Sequence, residues 1–224
     1  MASISKALKS DVLKQLERDD VEAAKASVST YPARQVINWL ISFYCHKDAL
    51  VRWRAIEFSG HVVAGHAAED MESARIIMRR LLWMLNDESG GIGWGVPEAM
   101  GEILALSEPL ANEYHRVYLS HVQPACNFLE HPVLQRGLLW GVGRLAGTRK
   151  AIVQPFLPDI VPFLDSEDPY HRAFAARAIA FAGGPSSSAL IEKLHGDPAE
   201  IEIYEESTLK TKTVAEVSRA LISP

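Results

Sequence analysis

Two glutamates near the middle of the chain, Glu98 and Glu102, have the residue type and spacing for acid–base or cation-binding chemistry. They lie four residues apart, so a helix would place both side chains on one face. Paired carboxylates can hold a cation or raise each other's pKa. Two solvated carboxylates on a helix surface would have the same spacing, and the sequence leaves both interpretations open.

The histidines do not predict a metal centre. His61 and His66 are five residues apart and His115 and His121 are six apart, so neither pair shares a helix face. A helical zinc site uses two histidines four residues apart with a carboxylate nearby. The spacing of serines, cysteines and histidines also suggests no nucleophile arrangement, and we expect neither a metal nor a cofactor.

The helices that must position Glu98 and Glu102 are predicted from a sequence repeat. A ten-residue pattern starts with an apolar residue, has a small or apolar residue four positions later and ends in small residues or glycine. The pattern and its copies are Val51–Gly60, Ile92–Gly101, Leu134–Gly143, His171–Ala180 and, more weakly, Leu209–Ser218. Their starts are 41, 42, 37 and 38 residues apart, which is the period of a two-helix solenoid repeat.

Amphipathic stretches fill the space between the copies. They are residues 33–46, 71–86, 113–130 and 149–165. Each leads through a polar turn into the next copy, which predicts a helix A, a turn and a helix B in every repeat. Helical periodicity dominates and strand-like alternation is nearly absent, so the sequence predicts an all-α protein.

This arrangement resembles the HEAT repeat, and in particular its short bacterial form known from bilin lyases. Val153–Asp168 leading into Arg172 is the clearest match, and Asp48 followed by Val51 and Arg52 is the next. The resemblance implies that both arginines pair with the Asp of the turn and stitch neighbouring repeats together.

The resemblance also implies the architecture. We expect a right-handed α-α superhelix of about five helical pairs, with repeats over residues 32–222 and an N-terminal capping helix at about 4–18. Residues 1–224 would form a single domain. Small residues within the copies, such as Ala55, Gly60 and Gly143, would let helices B approach their neighbours closely.

In such solenoids helix B lines the concave side, which is the usual binding surface. Positions 1, 5, 8 and 9 of the pattern would then be buried, and positions 3, 4, 7 and 11 would face outward. The predicted binding residues on this face are Trp53, Arg54, Trp94, Glu98, Glu102, Arg136, Trp140, Arg144, Phe174 and Arg177. Exposed aromatic rings beside arginines are typical of an interaction surface. Packing of the rings against a neighbouring repeat is the alternative.

The two middle copies depart from the pattern. Gly93 and Gln135 stand where the stitching arginine is expected, and residues 90–95 contain four glycines followed by Pro97. Because a glycine-rich backbone can approach a ligand closely, this centre is a candidate binding site. A distorted helix start explains the same residues.

A second resemblance concerns this centre. Trp94 lies four residues before the acidic Glu98, which is similar to the HEAT-like-repeat DNA glycosylases that remove alkylated purines. The resemblance implies that Glu98 is a catalytic acid that stabilises the cationic sugar, that Arg136 binds phosphate, and that Trp94 and Trp140 contact the DNA. This chain departs from that family in having Glu instead of Asp, and in Pro97.

Composition limits the possible partners. The chain has 224 residues, is 48% hydrophobic, and carries a net charge of −5, which disfavours binding to nucleic acid or to anionic membranes. The N-terminal sequence lacks the apolar core of a signal peptide, and no apolar stretch is long enough to span a bilayer, so we expect a cytoplasmic protein. Cys45 and Cys126 would be reduced thiols packed as small hydrophobic side chains.

These observations favour a scaffold that binds a protein partner through its helix-B face rather than an enzyme. Two alternatives remain open at the level of sequence. One is a glycosylase-type enzyme that uses Glu98, and the other is an accessory subunit that helps to insert a cofactor.

Overall fold

The computed structural model describes residues 2–86, 92–183 and 187–221. The chain divides into two compact units, Met1–Ala111 and Asn112–Pro224. The predicted glycines Gly90 and Gly91 lie outside the described residues. The expectation of a single domain stays a prediction.

The first unit consists of helices. They are α1 (Ala2–Leu16), α2 (Val21–Val28), α3 (Ala33–Phe43), α4 (Ala49–Glu69), α5 (Met71–Leu85) and α6 (Val96–Leu106), and α7 (Glu108–Leu119) begins in this unit. The long α4 lies at the centre and packs against α3, α5 and α6. These contacts make α3–α4 and α5–α6 the two helical pairs that the repeat predicts.

Local sequence explains where these helices begin. Asp48 caps α4 by accepting hydrogen bonds from the backbone N–H groups of Leu50 and Val51, and Asp70 caps α5 through Ser73. Apolar residues on one face of α3 and α5 are buried against α4, as amphipathic helices require.

The second unit contains further helical pairs followed by a hairpin. Its helices are the end of α7, α8 (Pro132–Val153), α9 (Leu157–Ile160), α10 (Pro169–Ala182), α11 (Ser187–Glu192) and α12 (Val214–Ala220), and its strands are β1 (Glu200–Glu205) and β2 (Thr208–Thr213). Helices α8 and α10 make the most extensive contact. Arg149 has non-helical dihedral angles, so α8 is a helix B joined across a kink to the start of the next helix A.

Prolines break that next helix A into short segments. Pro155, Pro158 and Pro162 each stand in the first turn of one segment: a 3-10 turn at Gln154–Phe156, then α9, then a second 3-10 turn at Val161–Asp165. A proline inside a helix removes one hydrogen bond and clashes with the preceding turn. The segment therefore follows the path of a helix A without forming one continuous helix.

The structure corrects the prediction for the fifth copy of the pattern. The first half of Leu209–Ser218 lies in strand β2, which pairs antiparallel with β1, and α12 starts only at Val214. Glu206 and Ser207 form the turn, with φ angles of 52° and 59°. The expectation that strand-like alternation is nearly absent was wrong here.

The stitching arginines behave differently from the prediction. Arg52 donates to the carbonyl oxygens of His46 and Lys47, and Arg172 donates to those of Ser166 and Glu167, so each arginine binds the backbone of the turn before its helix. The turn residues Asp48 and Asp168 cap helices instead.

Ion pairs that link one repeat to the next are nevertheless present. Arg172 Nε lies 2.6 Å from Asp197 Oδ2, and Arg136 Nε lies 2.6 Å from Asp168 Oδ2, the cap of the next helix B. Arg136, to which the sequence did not assign a stitching role, therefore makes the same kind of link as Arg172.

The helical-repeat fold class is confirmed. The described residues are helical apart from loops and the hairpin. The small residues within the ten-residue copies are buried, and Ala55 and Ala175 are fully inaccessible to solvent. A side chain at Gly60 would overlap Glu102 Cγ and reach 3.3 Å from the Glu102 carbonyl carbon, whereas one at Gly143 would meet Arg177 Cδ at 3.5 Å.

We therefore expect Gly60→Ala and Gly143→Ala to differ in stability. Gly60→Ala should lower the free energy of unfolding by about 1–3 kcal/mol, because the added methyl group overlaps Glu102. Gly143→Ala should be neutral or stabilising by up to about 1 kcal/mol, because alanine favours helix and the contact is ordinary. Urea unfolding of both variants checks this, and equal effects would contradict the packing described.

Candidate functional site

The predicted binding residues of the first unit differ in exposure. Trp53 and Trp94 are half-buried and keep part of their rings at the surface. Arg54 and Glu102 are buried, with 7% and 3% of their surface exposed, so the prediction that both face outward was wrong. The side chain of Glu98 is half-buried.

Arg54 is buried because the N-terminal helices cover helix α4. Its Nη1 donates to the carbonyl oxygens of Leu16 at 2.9 Å and Arg18 at 2.7 Å. The Leu16 carbonyl is the last of α1, where backbone acceptors lack partners within the helix, and the Arg18 carbonyl follows it in the connection to α2. The Arg54 side chain thus caps the C-terminus of α1.

Glu102 faces α4, where its side chain lies against Gly60. The absence of a side chain at Gly60 gives it the space. Glu98 and Glu102 therefore do not form the pair of solvated carboxylates that was one interpretation of their spacing.

Glu98 sits in the first turn of α6, behind an unusual helix start. Gly95 caps the helix with φ 73°, a conformation that favours glycine, and a side chain there would lie 2.9 Å from Tyr44 Cβ. A side chain at Gly93 would instead lie 2.8 Å from the Met84 carbonyl oxygen of α5, so both glycines allow close approach of the backbone before α6. The interpretation of the centre as a distorted helix start is correct, and it places a carboxyl group in a covered position.

The carboxyl group of Glu98 is covered on one side. Its Oε2 is buried and has no hydrogen-bond partner among the described residues. Burial raises the pKa of Glu98 to about 7, and a hydrogen bond from its own backbone N–H opposes the shift. At neutral pH this carboxyl is therefore close to half protonated.

A buried tyrosine accompanies Glu98. Tyr44 Oη donates to Ser59 Oγ at 2.7 Å, and Ser59 Oγ donates to the carbonyl oxygen of Ala55 at 2.7 Å. Burial is the main cause that raises the pKa of Tyr44, and the charge on Glu98 adds to it. The tyrosine therefore stays neutral and acts as a hydrogen-bond donor in the core.

In the second unit the two predicted aromatic anchors are buried. Trp140 and Phe174 each expose only 2% of their surface, so their predicted outward position was wrong. Phe174 packs edge-on against Tyr170 with 5.9 Å between ring centroids. The alternative, that the rings pack within the repeat array, is correct for these two residues.

The predicted arginines of this unit remain half-exposed. The Arg136 guanidinium lies 4.5 Å from the centroid of the Tyr170 ring, and Arg177 lies 5.7 Å from that of Phe181. Both distances are within the range of cation–π attraction. Arg144 is also half-exposed on α8. We call these five residues of α8 and α10 the arginine face.

Two apolar residues that the sequence interpretation missed are more exposed than any predicted anchor. Trp83 is 66% exposed and Ile76 is 39% exposed, seven residues apart on α5. Their exposure could have been predicted from the sequence, because both residues fall on the polar side of an amphipathic helix A. Cys45 and Cys126 are also exposed free thiols, not packed side chains as expected.

Polar groups also converge in a cavity of about 480 Å³ in the first unit. Tyr31, His61, His66 and Glu69 contribute to its wall, and His66 Nε2 is buried without a hydrogen-bond partner among the described residues. Within the described ranges, no group of three or more His, Cys, Asp or Glu side chains is placed to hold a metal ion.

Comparison with known proteins supports the fold. No protein-family model matches the chain. An uncharacterized protein of Archaeoglobus fulgidus is 28% identical over 175 residues, which cover 76% of this chain and 86% of that protein.

Two solved structures share the fold at low identity. An engineered protein matches with a TM-score of 0.52 and 13% identity, over 96% of each chain. A designed armadillo repeat protein in complex with the peptide (KR)4 matches with a TM-score of 0.51 and 13% identity, over 94% of this chain and 96% of that one. The chain therefore has a helical-repeat fold similar to that of armadillo-like proteins. In the part that the structure describes, no helix is long and apolar enough to cross a membrane.

The state of Glu98 predicts a pH-dependent stability. The folded protein raises the pKa of this carboxyl from its ordinary value of 4.5 to about 7. Folding therefore favours the protonated form, and the stability present below pH 4.5 is progressively lost as the pH rises to about 7. Glu98→Gln cannot ionise, so we expect it to exceed the parent in free energy of unfolding by about 2–3 kcal/mol at pH 8.

At pH 4.5 the same variant should match the parent within error. Urea unfolding at both pH values provides the measurement, and Glu69→Gln is the matched control for removal of a carboxyl group at an exposed position. A constant difference between Glu98→Gln and the parent across this range would contradict the buried carboxyl.

Proposed function

We propose that this chain is a HEAT-like, non-enzymatic module of the cytoplasm that binds a protein partner. The arginine face is the contact surface, and the ligand is a short acidic segment of the partner. The observation that carries this proposal is the position of two half-exposed arginines over aromatic rings: Arg136 lies over Tyr170 of the neighbouring helix B, and Arg177 lies over Phe181 of its own helix.

The stacking supports a binding role because it reduces the freedom of long side chains. A guanidinium held over an aromatic ring loses less conformational entropy when it binds a carboxylate. Its planar edge can bind a carboxylate through two parallel hydrogen bonds. Arg136 has its Nε on Asp168, which fixes the orientation of the group further.

The position of the arginines along the helices supports an extended ligand. Gly143 of α8 leaves space for the side chain of Arg177 on α10. Gly147 of α8 does the same for the Phe181 ring, which would lie 3.5 Å from a Cβ atom at that position. Phe181 is 39% exposed beside these positive charges. Such a surface suits a segment that alternates carboxylates with apolar side chains.

The scaffold also supports a peptide ligand. The designed armadillo repeat protein with a similar fold holds the peptide (KR)4, which is basic. Here the exposed groups are arginines, so the complementary peptide is acidic. The overall charge of −5 also opposes an extended contact with nucleic acid.

Peptide binding tests this function directly. We expect a fluorescein-labelled peptide of alternating Glu and Phe to bind more tightly than the matched Lys and Phe peptide, measured by anisotropy at low salt. Arg177→Gln and Arg144→Gln should each weaken the acidic peptide about fivefold or more, because central arginines often dominate such contacts.

Arg79→Gln is the matched control, since it removes one positive charge from an exposed helix A. It should change the affinity less than twofold. Equal binding of both peptides, or equal effects of the control and the two test variants, would refute the arginine face as the contact surface.

A glycosylase activity is the second candidate, because a carboxyl with a strongly raised pKa is a feature of catalytic acids. The proposed role of Glu98, to stabilise a cationic sugar, requires the ionised form, and burial disfavours that form. We therefore expect purified protein to release no alkylated purine from methylated duplex DNA. Release that is abolished by Glu98→Gln would replace the binding function by this one.

A further inference from the structure

The second unit contains an apolar pocket that is separate from the arginine face. It has a volume of about 370 Å³ and lies between the segment after α7 and the proline-broken helix A. Its apolar wall consists of Val122, Pro124, Phe128, Pro158, Pro162 and Phe163. The rings of Phe128 and Phe163 are stacked with 6.4 Å between centroids.

Two polar side chains of the wall are already engaged. His171 Nε2 lies 3.0 Å from the carbonyl oxygen of Pro132, which can only accept, so this nitrogen donates. Ser166 Oγ lies 3.0 Å from His171 Nδ1 and accepts from the backbone N–H of Asp168. These groups fasten the turn before α10 and leave no ring nitrogen of His171 for a ligand.

Gln135 is a further polar side chain of the wall. Only 8% of its surface is exposed, and it lines the pocket. Its side-chain amide can both donate and accept hydrogen bonds. Gln135 occupies the position in the repeat at which Arg52 and Arg172 bind the carbonyls of the preceding turn. In this repeat the position contributes a polar group to the pocket instead.

Asp159 supplies the charge of the pocket. Its Oδ2 accepts one hydrogen bond from Gln123 Nε2 at 2.9 Å, which uses part of the acceptor capacity of a carboxylate. It is the only carboxylate in the wall among the described residues. A cation is therefore the charged group that the pocket favours.

We propose that this pocket binds a small organic cation with a flat apolar body, such as an aromatic amine. The ring lies against the Phe and Pro side chains, the ammonium group pairs with Asp159, and the Gln135 amide binds a polar atom of the ligand. Small-molecule pockets of roughly 300–1,000 Å³ typically combine apolar walls with a few such polar groups.

Tryptamine and indole-3-propionate provide matched probes, because they share a ring and carry opposite charges. We expect tryptamine to produce saturable NMR shifts of the backbone amides around Phe128, Gln135 and Phe163 in the full-length protein. Indole-3-propionate should bind at least about tenfold more weakly, because it places a carboxylate near Asp159. Equal binding of both probes, or shifts confined to other residues, would overturn the proposal.

Substitution of the two polar groups gives a second readout. Asp159→Asn should weaken tryptamine at least about fivefold, whereas Glu130→Gln, which removes an exposed carboxylate of the same unit, should have no effect. Gln135→Met keeps the length of the side chain and removes the amide. It should weaken tryptamine binding about threefold or more, because the hydrogen bond between the amide and the ligand is lost.

Gln154→Met on an exposed glutamine is the control for that substitution and should leave tryptamine binding unchanged. If Gln135→Met bound tryptamine as tightly as the parent, the amide would have no part in the site and the proposal would fail. It would also fail if N-acetyl-Trp-Lys-amide bound the pocket more tightly than tryptamine, because the occupant would then be a peptide.

Discussion

The backbone at the entrance to each helix B is the constraint on which the rest of this structure depends. A helix leaves its first N–H groups and its last carbonyl groups without internal partners, and a two-helix repeat brings both kinds together in one short turn. Asp48 and Asp168 satisfy the N–H groups, and Arg52 and Arg172 satisfy the carbonyls of the same turns. One acidic and one basic residue thus fix the angle at which helix B leaves the turn.

The candidate sites occur where this arrangement is abandoned. Gly93 replaces the arginine in one repeat, and there Gly95 caps the helix whose first turn carries Glu98. Gln135 replaces it in the next, and its amide lines an apolar pocket instead of binding the turn. Residues that break a local rule at a cost in stability are the ones for which a function should be sought.

The helices and their pairing were predictable from the sequence, whereas the exposure of single side chains was not. Period and capping signals depend on neighbouring residues, and these predicted α3–α6, α8 and α10. The exposure of a side chain depends on which other helices pack against that face, and these come from distant parts of the sequence. Position 4 of the pattern was expected to face outward, but α1 covers it at Arg54 and the neighbouring helices cover it at Phe174.

The hairpin was missed for a different reason. Ile201 and Ile203 alternate with glutamates as a half-buried strand requires, but the turn residues Glu206 and Ser207 lack the glycine or asparagine that favours positive φ. The pocket was missed because it is formed by residues far apart in sequence. Its one local signal was Gln135, which was noticed as a departure from the repeat but could not be assigned an environment.

The three prolines of the broken helix A also affect how that region responds to a bound molecule. A pyrrolidine ring fixes φ in the unfolded chain as well as in the folded one, so the wall that Pro158 and Pro162 contribute has little freedom left to lose. Occupation of such a rigid apolar cleft proceeds with a negative change in heat capacity and only a small loss of chain entropy. The cleft would therefore be shaped before its occupant arrives, and selection among ligands would rest on fit to a fixed surface more than on adjustment of the protein.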